Sequence, residues 1–203
     1  MSIFFSSQIF AGTIELFDDF AKTNIGNKLE YLADEDRNLT LDDVRSSEFE
    51  DRWQEHKNDT PSFDFTDAVY WFRFTVENKS GEDTPYVLNF GYAGLSWATV
   101  YHIGENGIIE TELGGKEFNK RPLNVPGYAF PLKFNQGRSQ VFFKAYSPLH
   151  GLQIPAILYE KSSFFSRRLL DNITQGVYAG IILAMVCYNF FLFISVREIS
   201  YRL

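Results

Sequence analysis

Tyr70-Trp71-Phe72-Arg73-Phe74-Thr75-Val76-Glu77 decides the fold class. Side chains along an extended strand alternate between two faces, so Tyr70, Phe72, Phe74 and Val76 share one side. Trp71, Arg73, Thr75 and Glu77 share the other. The first set is a core face. Downstream, Asn78-Lys79-Ser80-Gly81 reads as a turn. Strand-like runs follow at 86–91, 97–103, 107–113, 128–134, 139–146 and 152–159. Asn106-Gly107 is a hairpin signal between two of them, and Gly137 and Ser147-Pro148 interrupt later ones. Upstream, Leu29-Glu30-Tyr31-Leu32 reads as a short strand and residues 34–38 as a turn. Thr40-Leu41-Asp42-Asp43 is an N-cap opening a helix whose pattern continues through Trp53 and breaks at Thr60-Pro61-Ser62. About seven or eight short strands with turns at this spacing predict a mainly β fold, an antiparallel jelly roll or β-sandwich.

The whole chain has 203 residues, 45% hydrophobic and 22% charged, which excludes wholesale disorder. Aromatics at 17% suit a pleated, β-rich core. The net charge of −7 argues against a nucleic-acid partner. That average conceals a division. Residues 1–83 hold 8 Lys and Arg against 19 Asp and Glu, whereas residues 84–203 hold 11 against 7.

From Gly176 to Val196 the chain runs GVYAGIILAMVCYNFFLFISV, 21 residues without a formal charge. As a helix this is about 31 Å long, the thickness of a bilayer's hydrocarbon core. A transmembrane helix is predicted. Gly176, Gly180 and Ala184 form a small-residue stripe where another helix can approach, and Asn189 is the one strongly polar side chain, suited to a neighbouring helix as partner. Three basic residues upstream (Lys161, Arg167, Arg168) against two downstream (Arg197, Arg202) give no usable orientation bias. The single cysteine, Cys187, lies inside the span and carries no message about redox compartment. The expected division is an N-terminal segment at 1–27, which has the character of an eroded signal peptide, and a sandwich at 28–160. A juxtamembrane segment at 161–175, a membrane helix at 176–196 and a loop at 197–203 complete it.

Candidate chemistry is sparse. Asp34, Asp36 and Asn38 fall at positions 1, 3 and 5 of a calcium loop, but Leu39 stands where glycine is needed and Arg45 where the bidentate carboxylate belongs. Gly114-Gly115-Lys116-Glu117-Phe118 is one letter from a cyclase loop, yet it sits among short β-runs. His56, His102 and His150 lack metal-binding spacing, and no Walker loop, dinucleotide-binding glycine pattern or nucleophile elbow is present. No catalytic residue, metal or cofactor is expected. For ligand binding, Trp71 and Arg73 share the off-core face of the best strand, and Trp97 and Tyr101 share a face of another. Aromatic rings stack on sugars, and arginine forks grip carboxylates or phosphates. That face is either a ligand platform or is covered by a loop or the N-terminal segment. Arg121, before Pro122, is either a turn residue or a ligand contact.

The ordered set LEYLADEDRNLTLDDV, VYWFRFTVENKS, YVLNFGYAGLSWATVYHI, FPLKF, VFFKAYSP, LQIPAILYE and GVYAGIILAMVCYNFFLFISVREISY resembles the bacterial seven-transmembrane receptors with diverse intracellular signalling modules (7TMR-DISM). Residues from about 28 to 160 resemble their extracellular jelly-roll sensor, and those from about 172 to 201 the start of their seven-helix region. Gly176, Gly180, Tyr188, Asn189 and Tyr201 carry the second likeness. The resemblance implies a sandwich on the periplasmic side of the bacterial cytoplasmic membrane, similar to carbohydrate-binding modules. It implies a small-molecule ligand, a carbohydrate among the candidates, sensed without catalysis, and lipid around the helix. It also implies that the remaining helices and a cytoplasmic output domain lie beyond this piece. Two other readings stand beside it: a membrane-anchored module that docks another envelope protein, and a periplasmic carbohydrate-active enzyme.

Overall fold

The computed structural model describes residues 12–80, 84–92, 94–104, 109–115, 122, 123, 125 and 127–200, with backbone alone at 109–115 and 196–200. Two compact units divide it, the first ending at Lys161 and the second beginning at Ser162. The first unit begins with β1 (Thr13–Leu16), β2 (Lys22–Asn24) and a 3₁₀ turn at Gly26–Lys28. Next come β3 (Glu30–Asp34), α1 (Leu41–Arg45) and a 3₁₀ turn at Ser47–Arg52, then β4 (Gln54–Glu55) and β5 (Ser62–Phe63). The long strands are β6 (Val69–Asn78), β7 (Pro85–Phe90), β8 (Trp97–Ile103), β9 (Ile109–Gly115), β10 (Tyr128–Lys133) and β11 (Gly137–Tyr146). β12 (Leu152–Gln153) and β13 (Ala156–Glu160) close the unit. The predicted β-sandwich with a C-terminal apolar helix is what forms.

The larger sheet runs β4-β3-β6-β11-β8-β9, with β1 also on β6, and the smaller runs β10-β7-β13-β2. β6 is the spine. Along one edge it pairs with β3 from Val69 to Arg73 and then, in parallel, with β1 from Thr75 to Asn78. The core lies where the alternation of β6 placed it. Phe72, Phe74 and Val76 pack with Val100, Val141 and Phe143 of the same sheet and with Leu88, Phe90, Phe130 and Leu158 of the other. Phe72 stacks on Phe143 at 4.7 Å, and Phe143 meets Phe90 across the sandwich at 4.8 Å. Such pairs add about 0.5–1.5 kcal/mol each to the burial of their area.

Three expectations change. The sandwich begins well before residue 28, because β1 and β2 supply strands to the two sheets. The run 152–159 is two strands in two sheets, since Pro155 has no N–H to continue a ladder: β12 joins β5, and β13 joins β7. The helical pattern from Leu41 to Trp53 is broken at Ser46, whose backbone is extended. The break has a geometric cause. In one continuous helix Val44 and Trp53, nine residues apart, would point in opposite directions at about 100° per residue. Both pack against the same sheet face, so the helix stops and restarts. The Asn106-Gly107 hairpin signal lies outside the described residues, although β8 and β9 pair antiparallel with Ile103 opposite Ile109. Gly114 and Gly115 end β9 as ordinary sheet residues.

The second unit consists of α2 (Lys161–Ser200) from its second residue on; the helix follows β13 directly in the chain and takes in the expected juxtamembrane segment. It is long and apolar enough to cross a membrane.

Candidate functional site

The outer face of the larger sheet carries the candidate residues in rows set by strand register. Trp71 of β6 lies opposite Lys144 of β11, which lies opposite Thr99 of β8. Arg73, Phe142 and Tyr101 form the next row, and Tyr146 and Trp97 pair beyond. Trp71, Arg73, Trp97 and Tyr101 thus share one face, as alternation predicts.

A cap covers the β6 half of that face. It starts at Asp34, whose buried carboxylate accepts from the backbone N–H groups of Asn38 and Leu39. The acidic turn is thereby closed by its own backbone, with Arg37 at φ +57°. Thr40 and Asp43 then form a reciprocal capping box, and the Thr40 hydroxyl and N–H hold the Asp43 carboxyl below its ordinary value. α1 drives Val44 inward. Trp53 returns to the sheet, donating its indole N–H to the Val44 carbonyl at 3.3 Å and meeting Phe142 edge-on at 6.1 Å.

Under this cap Trp71 is fully buried, so its ring is no open platform. Its indole N–H has no hydrogen-bond partner among the described residues. Arg73 is enclosed as well. Its Nε donates to Glu30, its Nη1 and Nη2 grip both oxygens of Glu50 at 2.8 and 2.7 Å, and its guanidinium lies 4.5 Å from the Trp53 ring centre. Burial alone would depress the Arg73 pKa, but the bonds to Glu50 and Glu30 hold it above its ordinary value. The Arg73 fork in turn pulls the Glu50 carboxyl down, against a smaller opposing effect of burial. The Arg73 fork therefore grips the protein's own carboxylates.

The β8 half of the face is different. Trp97, Tyr101, Lys144 and Tyr146 are all half-buried, each partly open to solvent. Tyr101 stacks on Trp71 at 5.7 Å and 17°, and burial raises its phenol pKa. Trp97 lies 5.7 Å from Tyr146. The Lys144 ammonium sits 4.9 Å from the Trp71 ring centre and 5.9 Å from that of Trp97. Burial pushes its pKa down, partly countered by the charge of Asp34. At the rim, Arg37 donates to the Tyr146 hydroxyl at 3.1 Å. This half offers aromatic faces, hydroxyls and two cations to a ligand.

Sequence reasoning missed Lys144, Tyr146 and Arg37. The signal for the first two was present in Ser139–Tyr146, where Phe142, Lys144 and Tyr146 alternate onto the outer face. Arg121 lies outside the described residues. On α2, Gly176, Gly180 and Ala184 follow at four-residue steps along one stripe, and a Cβ added at either glycine would meet open space. Asn189 donates to the Met185 carbonyl of its own helix at 2.8 Å.

Residues 26–160 match the family model described as 7TMR-DISM extracellular 2, and residues 171–203 match 7TM diverse intracellular signalling. No curated protein matches the chain.

Proposed function

The chain belongs to the 7TMR-DISM family of membrane signalling receptors, and from that premise we propose that its extracellular sandwich binds a small ligand, without transforming it, on the β8 half of the larger sheet. One observation carries the reading: the same sheet face is closed by the chain's own cap over Trp71 and Arg73 and left partly open at Trp97, Tyr101, Lys144 and Tyr146. A carbohydrate suits aromatic side chains interleaved with hydroxyls and cations. The setting is the bacterial cytoplasmic membrane with the sandwich on its outer side, lipid and further receptor helices around α2, and an output domain in the cytoplasm. Ligand binding acts through differential affinity for two states of the receptor, transmitted along the chain from β13 into α2.

The test is a thermal-shift screen of the full chain in detergent micelles against sugars and organic acids. A stabilising compound whose effect disappears in Trp97→Ala, with the circular dichroism of the sandwich intact, supports the reading. A broad panel with no shift overturns direct sensing in favour of docking to another envelope protein.

A further inference from the structure

The ligand class follows from a difference between two cations, and the inference rests on the sensor reading above. Arg73 is answered by two carboxylates. The Lys144 ammonium makes no hydrogen bond or ion pair among the described residues, although the side chain is half-buried near the C-terminal end of β11. The charge it senses most, Asp34, is engaged by the N–H groups of Asn38 and Leu39. The Trp71 and Trp97 rings stabilise an ammonium through their π faces but accept none of its three N–H donors in the manner of an oxygen. Arg37 brings a second cation to the same rim, its guanidinium 5.8 Å from the Tyr146 ring centre.

We infer that the rim formed by Lys144, Trp97, Tyr101 and Tyr146, with Arg37 at its edge, binds a sugar acid. The ligand's carboxylate meets the Lys144 ammonium, and its ring lies against the partly exposed aromatic rings of β8. A neutral sugar gains the stacking and leaves the ammonium unanswered. A simple carboxylate answers the ammonium and gains no stacking. Only a ligand with both parts uses the whole rim.

The experiment is calorimetric titration of the full chain in micelles with glucuronate, glucose and acetate at fixed ionic strength. Glucuronate is expected to bind about tenfold or more tightly than either comparison ligand, the value of one charge-assisted contact. Lys144→Met removes that preference, and Lys144→Arg, which keeps the charge, retains part of it. Equal binding of glucose and glucuronate, both lost in Trp97→Ala, overturns the acidic ligand and leaves a sensor of neutral sugars. A glucuronate preference that persists in Lys144→Met overturns the assignment to Lys144. Binding of none of the three overturns the sugar acid, while the wider thermal-shift panel decides separately whether the sandwich senses a small molecule at all.

Discussion

The two halves of the outer sheet face are built from the same parts and put to different use. Each has a tryptophan and a cation on neighbouring strand positions: Trp71 with Arg73, and Trp97 with Lys144 one strand over. On the β6 half the cap from Asp34 to Trp53 seals the tryptophan, and Glu30 and Glu50 neutralise the arginine. On the β8 half the tryptophan stays partly open, and the lysine lies over two indole rings with no carboxylate bonded to it among the described residues. The lesson is that residue type on a strand face does not separate structure from recognition. The cover and the counter-charges do.

Truncating each tryptophan in turn separates the two halves most widely. Trp71→Ala empties a fully enclosed site and is expected to cost about 3–5 kcal/mol, read as the shift in urea unfolding of the micelle-bound chain. Trp97→Ala removes a half-exposed ring and is expected to cost about 1 kcal/mol. Equal losses would show that both halves serve the fold alike.

Much of this contrast was open to sequence reasoning, up to a point fixed by physics. Alternation placed Trp71 opposite in sense to Phe72 and gave the shared face of Trp97 and Tyr101, because a period of two is local. The Thr40–Asp43 capping box was legible for the same reason. The cover over Trp71 was not, since it depends on the helix breaking at Ser46 so that Val44 and Trp53 meet the same surface. The pairing of β1 with β6 and the partition of residues 152–160 between two sheets are long-range choices, with only Pro155 as a local hint. Alternation in 139–146 places Lys144 on the outer face, but a local period does not show whether a carboxylate from elsewhere in the chain meets it.

A milder test addresses the counter-charges. Arg73 lowers the Glu50 pKa from its ordinary 4.5, so the stabilisation from this pair is complete above that value and lost as pH falls through the lowered one. Glu50→Gln is therefore expected to reduce unfolding stability by about 1 kcal/mol near about pH 6, a partly exposed carboxylate being discounted for solvent screening. The gap between variant and wild type should close in acid below 4.5. A gap that stays constant through that range would mean that Glu50 contributes through packing alone and that the cap needs no ionic lock.

The smallest expected effect is the sharpest. Lys144→Met keeps the apolar stem against Trp71 and removes a half-buried charge that has no carboxylate partner among the described residues. Its loss is expected to change unfolding stability by no more than about 0.5 kcal/mol, or to raise it slightly, because the desolvation cost of the ammonium goes with it. Arg73→Met, in the capped half, breaks a network with two carboxylates and is expected to cost roughly 3 kcal/mol. A stability unchanged by Lys144→Met, set against the large loss in Arg73→Met, leaves the ammonium available to a ligand without cost to the fold. If Lys144→Met instead unfolds the sandwich as readily as Arg73→Met, the lysine belongs to the architecture, the two halves are alike, and the open rim loses its claim to a ligand.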